Sequence, residues 1–181
     1  MNEVIKAISE RYSCRDFSPE PLSKEQLDTL AAAALAAPSA KNLQPWHIIV
    51  VTDKALLEEL DSEIVDFLSK DETWIKFLQE RGGRAFYNAP CIIFIASDGS
   101  EWANLDCGIV SQNIALAAHS MGLGSVICGM ARIPLGGENG AEFKKRLKFP
   151  EGFVFGMSVC VGKVKNARAP HELDLSKVTY V

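Results

Sequence analysis

Apolar residues recur along this chain in two rhythms, and the rhythms divide it into ten elements. Val4, Ile5 and Ile8 fall at helical spacing in "EVIKAISERY", which predicts a first helix over 3–12. A second helix is expected to open at Ser23, where Ser23 and Gln26 form a capping-box pattern, and to run to about Ala36, ahead of Pro38. "WHIIVVT" is rich in β-branched residues and reads as a strand. Asp53 then caps a third helix with Leu56, Leu57, Leu60, Ile64 and Phe67 on one apolar face. "ETWIKFLQER" reads as a short helix closed by Gly82 and Gly83. "APCIIFIAS" is wholly apolar, as expected for a central strand. The long helix "NLDCGIVSQNIALAAHSMG" ends on Gly122 as its C-cap, and "GSVICGM" follows as a strand. A short helix, "NGAEFKKRLKF", and a last strand, "GFVFGMSVCVGKV", complete the order. Together these predict one α+β or α/β domain over 1–181: a sheet of four or more strands with helices packed around it, and 164–181 as an extended polar tail.

Composition narrows the function classes. The net charge of -4 and pI near 5.4 lack the basic footprint of a nucleic-acid binder. The longest apolar runs fall well short of the roughly eighteen residues of a membrane span. The N-terminal residues lack the apolar core of a secretory signal. Five scattered cysteines, with no Cys-x-x-Cys pair, are expected to be reduced buried thiols in a cytoplasmic protein, and their spacing gives no zinc pattern. No metal site is expected.

Four stretches are candidates for chemistry. In "RYSCRDF", Arg11, Ser13 and Arg15 alternate, so an extended backbone would point two guanidinium groups and a hydroxyl the same way. Such a set can cradle a phosphate; equally, it can be a solvated helix end with arginines on the helix dipole. "APSAKNLQPW" is unusually polar for a helix-to-strand connection, which needs only about two to six residues. "GLGSVICG" has glycines after a helix and before a strand, the reverse of a dinucleotide fingerprint. Gly122 and Gly124 there read as cap and turn, while Gly129 can mark close approach of a ligand or another backbone. "GGENG" lacks the Gly-Lys-Ser/Thr of a P-loop and reads as a surface turn with Asn139 near a helix start. His47, His119 and His171 stand at no metal-ligand spacing, and no "GxSxG" elbow occurs.

"RYSCRDF", "APSAKNLQPW" and "DCGIVSQNIALAAHSMGLGSVICG", in this order and at this separation, resemble the FMN-dependent nitroreductase family over nearly the whole chain. The resemblance implies a nitroreductase-like α+β fold, with a central mixed, mainly antiparallel sheet flanked by helices, as a homodimer with two FMN molecules in clefts at its interface. It matches Arg11, Tyr12, Ser13 and Arg15 to the FMN phosphate and part of the flavin ring. It matches Pro38, Ser39 and Asn42 to the flavin bound mainly by the other subunit, with Gln44 and Trp46 shaping that site. Ile127, Cys128 and Gly129 match a strand end beside the isoalloxazine, where a backbone N–H faces flavin N5 and a Cys128 thiol would change local electrostatics. Arg84 matches a basic residue on the pyrimidine side. Arg168, with Lys165 as a rival, matches a second basic group near the C-terminus that completes the phosphate site.

The activity this implies is ping-pong NAD(P)H oxidation: hydride from NADH or NADPH passes through flavin N5 to a nitroaromatic, quinone or similar acceptor. The flavin carries the chemistry, so no catalytic side chain is expected. Two alternatives share the cofactor: a specialised flavoenzyme of the same fold, such as a reductive dehalogenase or dehydrogenase, and a non-catalytic flavin-binding module. Arginines serving another phosphate is a third.

Overall fold

The structure is a computed structural model and describes residues 2–80 and 82–181. Helices α1 (Glu3–Glu10) and α2 (Lys24–Leu35) precede strand β1 (Trp46–Val51), with a single 3-10 turn at Ala40–Asn42 between them. Helices α3 (Lys54–Leu68) and α4 (Glu72–Gln79) lead to β2 (Cys91–Ser97), then α5 (Ala103–Ser120) and β3 (Gly124–Ile127). Helices α6 (Arg132–Gly136) and α7 (Gly140–Arg146), strand β4 (Val154–Gly162) and a 3-10 turn at Leu175–Lys177 follow.

The strands form one sheet in the order β1-β2-β4-β3, and all three pairings are antiparallel. Outside these strands, Ser13 and Ser125 form one isolated parallel bridge. β2 is buried along its whole length, as its unbroken apolar sequence predicts for a central strand. Its alternate residues feed two cores. Ile92 and Phe94 join Leu57, Leu60 and Ile64 of α3 on one face; Ile93 and Ile95 join Leu30 of α2 and Val110 and Ile114 of α5 on the other. The result is three layers, helix on sheet on helix. Burying each such side chain contributes about 1.5–3 kcal/mol of hydrophobic stabilisation.

The end signals behave as the sequence expects. Ser23 and Gln26 form the reciprocal capping box. Gly122, at φ 71°, ends α5 with the Leu123 N–H on the Ala118 carbonyl. Other expectations need correction. Phe67 is exposed and Leu68 fills the core instead, because α3 is still helical one residue past the expected apolar face. β3 stops at Ile127, so Cys128 and Gly129 lie beyond it. Helix α1 ends at Glu10, leaving 11–17 as extended chain. Helix α6 is absent from the sequence reading; at five residues, with Pro134 inside, it is too short to show a helical period.

Segment 11–17 is stitched into the rest by backbone. The Cys14 N–H bonds to Ser125 (2.9 Å), and the Ser18 N–H and Lys165 N–H tie it to the chain leaving β4 (2.9 and 3.0 Å). Gly124 allows this approach: a Cβ there would lie 2.8 Å from Cys14 Cβ and Sγ and from Val164 Cγ2. Gly124→Ala is therefore expected to cost about 1–3 kcal/mol by overpacking, read as a lowered urea midpoint. An unchanged midpoint would contradict this docking.

Candidate active site

The extended backbone of 11–17 puts Arg11, Tyr12, Ser13 and Arg15 at the surface in half-buried positions, with Cys14 and Phe17 buried beneath. Arg11 Nε is buried and has no hydrogen-bond partner among the described residues, which is costly for a charged group unless a bound group supplies an acceptor. Arg168 comes back to this segment, close enough for its backbone to act on the Tyr12 pKa and its charge on that of Cys14, lowering both. Burial is the larger effect on both groups and raises each pKa. Lys165 instead lines a separate cavity of about 520 Å³ with Asp16, Phe17 and Arg84. The two rivals for a phosphate therefore face different ways, and Arg168 is the one beside Tyr12.

Beyond β3, the Cys128 N–H is taken by the Ser158 carbonyl at 2.8 Å, and the Ser158 hydroxyl closes the pair on the Cys128 carbonyl at 2.5 Å. The Gly129 N–H makes no hydrogen bond among the described residues. Of the three matched positions, Gly129 thus offers the free backbone donor at the end of β3. A Cβ on Gly129 would meet only Met157 Sδ, at 3.9 Å. Gly129 also lines an open cleft of about 1030 Å³ walled by Met130, Phe155, Met157, Phe67 and Trp74. The Cys128 thiol does not face this cleft. It points inward to the Ala85 carbonyl and to Cys160, whose hydrogen bond lowers its pKa. The sequence expects a Cys128 thiol exposed at this strand end; the thiol turns inward instead, and Gly129 lines the cleft.

The polar loop 38–44 lies elsewhere. It feeds β1, the edge strand opposite β3, so three strand spacings, roughly 14 Å, separate the two edges. Its hydrogen-bonding groups first hold the loop itself. Ser39 Oγ accepts the Gln44 N–H (2.9 Å), Gln44 Nε2 donates to Asn42 Oδ1 (3.0 Å), and the Ala40 N–H donates to buried Asp106 (3.3 Å). Lys41, Asn42 and Gln44 all have left-handed φ, at 52°, 54° and 49°. Strain of this kind persists only where surroundings impose it, and it concentrates at ligand clamps. Trp46, by contrast, is a buried core residue at the start of β1.

One chain therefore assembles Arg11–Arg15, Arg168 and the Cys128–Gly129 turn, and holds 38–44 as a preformed element on its far edge. Residues 8–163 match the family described as the nitroreductase family. The chain belongs to the nitroreductase family. A nitroreductase with bound FMN from Desulfitobacterium hafniense DCB-2 matches at a TM-score of 0.96 and 45% identity, over 100% of this chain and 99% of its own. A nitroreductase with bound FMN from Bacteroides fragilis NCTC 9343 matches at 0.87 and 25%, over 100% of both. An Archaeoglobus fulgidus protein, provisionally named an NADH dehydrogenase/NAD(P)H nitroreductase, is 32% identical over 96% of this chain and 92% of its own.

In this family member, Arg84 has a partner the sequence did not suggest. Its Nη1 lies 3.3 Å from Oδ2 of Asp61, a buried carboxylate on α3 whose Oδ1 accepts the Phe86 N–H at 2.7 Å. Burial raises the Asp61 pKa, and these hydrogen bonds pull against that. Asp61 was legible only as a charge interrupting the Leu57–Leu60–Ile64 face. Tyr87 and Asp106 carried no comparable signal. No helix among the described residues is long and apolar enough to cross a membrane.

All five cysteines are free and buried. Burial pushes the Cys91 thiol up to about 12 and the Cys107 thiol up to about 11. Native protein at pH 8 is expected to react with less than about one equivalent of a thiol reagent, and all five should react after unfolding, because access and thiolate fraction both limit the rate. One fast-reacting native thiol that maps to Cys128 would contradict its inward orientation.

Proposed function

We propose that this chain works as a homodimer in which each FMN lies between two subunits, gripped by Arg11, Tyr12, Ser13, Arg15 and Arg168 of one and by Pro38, Ser39 and Asn42 of the other. The activity is FMN-dependent NAD(P)H oxidoreduction of the nitroreductase type. The observation that carries the two-subunit reading is the separation of the two motif halves onto opposite edges of one sheet. A second support is uncovered apolar surface. No residue of α1 is buried, leaving Val4, Ile5 and Ile8 without cover, and Leu43, Trp102 and Leu105 are exposed around the 38–44 loop and the start of α5. Exposed apolar groups on this scale mark interfaces. Leu173, Leu175, Tyr180 and Val181 of the tail are likewise exposed, which suits a tail that lies across the partner.

The residues fit FMN on this chain's own terms. The unpartnered Arg11 Nε calls for an acceptor, and Arg15 and Arg168 both place positive charge near Cys14 in the same segment. Bound FMN supplies the two-electron chemistry that no side chain here provides. The protein's part is binding and electrostatics. Guanidinium groups hold the anionic end, the Gly129 N–H offers a fixed dipole in the cleft, and the 38–44 loop arrives already folded, which lowers the ordering cost of binding. Arg84, the candidate for the pyrimidine side, is anchored to Asp61 in the cavity it shares with Lys165, outside the lining of the Gly129 cleft. The cleft beside Gly129 admits first NADH or NADPH and then a planar acceptor such as a nitroaromatic or quinone, against Trp74, Phe67 and Phe155. Five unpaired thiols suit the reducing cytoplasm. The net charge of -4 gives nucleic acid no footprint.

Purified protein is expected to be yellow, to release FMN on heating and to run as a dimer in light scattering. Arg15→Ala should weaken FMN binding at least about tenfold, the scale of a lost charge-assisted contact. Colourless protein that takes up no FMN, or a stable monomer that binds it, would overturn this reading.

A further inference from the structure

The cavity of about 520 Å³ that holds Lys165 and Arg84 is separate from the Gly129 cleft. Met157 of β4 lines the cleft, whereas Phe17 and Pro90 of the cavity close on Gly162, at the far end of the same strand. A Cβ on Gly162 would lie 2.7 Å from Pro90 Cδ and 3.0 Å from Phe17 Cδ1. The strand from Met157 to Gly162 spans roughly 17 Å. The cavity's volume falls among those of small-molecule sites, about 300–1,000 Å³.

Its walls are set in the empty protein. Leu57 and Asp61 come from α3, and the turn at 84–90 faces them. Tyr87 and Asn88 of that turn are left-handed, at φ 56° and 58°, with no glycine to ease either position. Such backbone persists only where its surroundings over-determine it. Asp61, almost fully buried, supplies the restraint: Oδ1 accepts the Phe86 N–H at 2.7 Å and Oδ2 lies 3.3 Å from Arg84 Nη1. The Ala89 N–H closes the turn on the Phe86 carbonyl at 3.0 Å. Walls held in this way lower the ordering cost of binding.

The hydrogen-bonding capacity left inside is one-sided. Each carboxylate is already engaged. Asp61 is held as above, Asp16 Oδ2 accepts Asn166 Nδ2 at 2.5 Å, and Glu58 lies 3.7 Å from Lys54. The Lys165 ammonium, the Thr52 hydroxyl and the Asn88 side-chain amide make no hydrogen bond or ion pair among the described residues. Arg84 engages Asp61 through Nη1 alone. Around these donors the lining is apolar: Phe17, Leu57, Phe86 and Pro90. Free donors beside aromatic and proline faces suit an anion with a flat apolar body. A single lysine is a compact point charge, which matches one carboxylate; a phosphate is better served by the arginines of 11–15.

We propose that this cavity is a second binding site, for a small aromatic carboxylate, in which Lys165 meets the carboxylate while Thr52 and Asn88 offer further donors. The ring lies against Phe17 and Pro90. The inference does not rest on the FMN reading, and it gives Lys165 a role apart from the flavin phosphate.

The test is titration calorimetry with 2-naphthoate on the full chain in saturating FMN. Wild type is expected to bind one naphthoate per chain with a Kd below about 1 mM. Lys165→Gln, an exposed change that leaves the core untouched, should raise that Kd at least about fivefold, the scale of a lost charge-assisted hydrogen bond. Lys165→Arg should restore it to within about twofold, since the charge returns. The neutral analogue 2-naphthamide should bind wild type at least about fivefold more weakly and should not distinguish the Lys165 variants. Trp74→Ala, in the wall of the Gly129 cleft, should leave naphthoate binding unchanged. Absence of naphthoate binding, equal affinity for wild type and Lys165→Gln, equal affinity for acid and amide, or loss of binding in Trp74→Ala would each overturn the inference, and none of them bears on the FMN site.

Discussion

The backbone bond from the Cys14 N–H to the Ser125 carbonyl is the contact on which the site depends. It ties the extended 11–17 segment to the start of β3 and so joins the first motif of the chain to the third, across more than a hundred residues. Gly124 makes room for it, since any side chain there would meet Cys14 and Val164. Without this contact Arg11 and Arg15 would belong to a frayed helix end. With it they flank a strand whose far end presents the Gly129 N–H. A cationic end and a backbone donor are then held a strand's length apart, by hydrogen bonds that are themselves part of the sheet.

The same sheet keeps the remaining motif away. β1 and β3 are opposite edges, with β2 and β4 between them. The 38–44 loop cannot cross that distance without unmaking β1. It is nevertheless built like a clamp, with three left-handed non-glycine residues and side chains bonded to its own backbone. Its many polar groups therefore have two roles. Ser39, Gln44 and the Asn42 carbonyl oxygen hold the loop's shape, and the shaped loop is then available to a second chain.

Much of this was legible in the sequence because each feature was local. The capping box at Ser23, the glycine end of α5 and the unbroken apolar run of β2 state their structure within a few residues. The Arg-x-Ser-x-Arg spacing fits an extended segment, and the fold supplies one. The misses have physical causes. Phe67 and Leu68 are adjacent, and helical periodicity cannot say which of two neighbours turns inward when the helix runs to its end. Helix α6 is shorter than two turns. The inward Cys128 thiol depends on where β3 stops, which is set by pairing with β4. Tyr87 and Asn88 adopt left-handed backbone without the glycine that would announce it, because Asp61, more than twenty residues away, holds the turn from outside.

The account's central claim is that each FMN site combines Arg15 of one chain with Asn42 of another. Mixing subunits tests it directly. Co-expressed Arg15→Ala and Asn42→Ala chains, each deficient alone, would form heterodimers in which one interface carries both lesions and the other carries neither. If the site spans two chains, FMN binding returns to near wild-type affinity at about one site per heterodimer. If both groups act within a single chain, every site carries one lesion and the mixture binds no better than either variant alone, which would contradict the account.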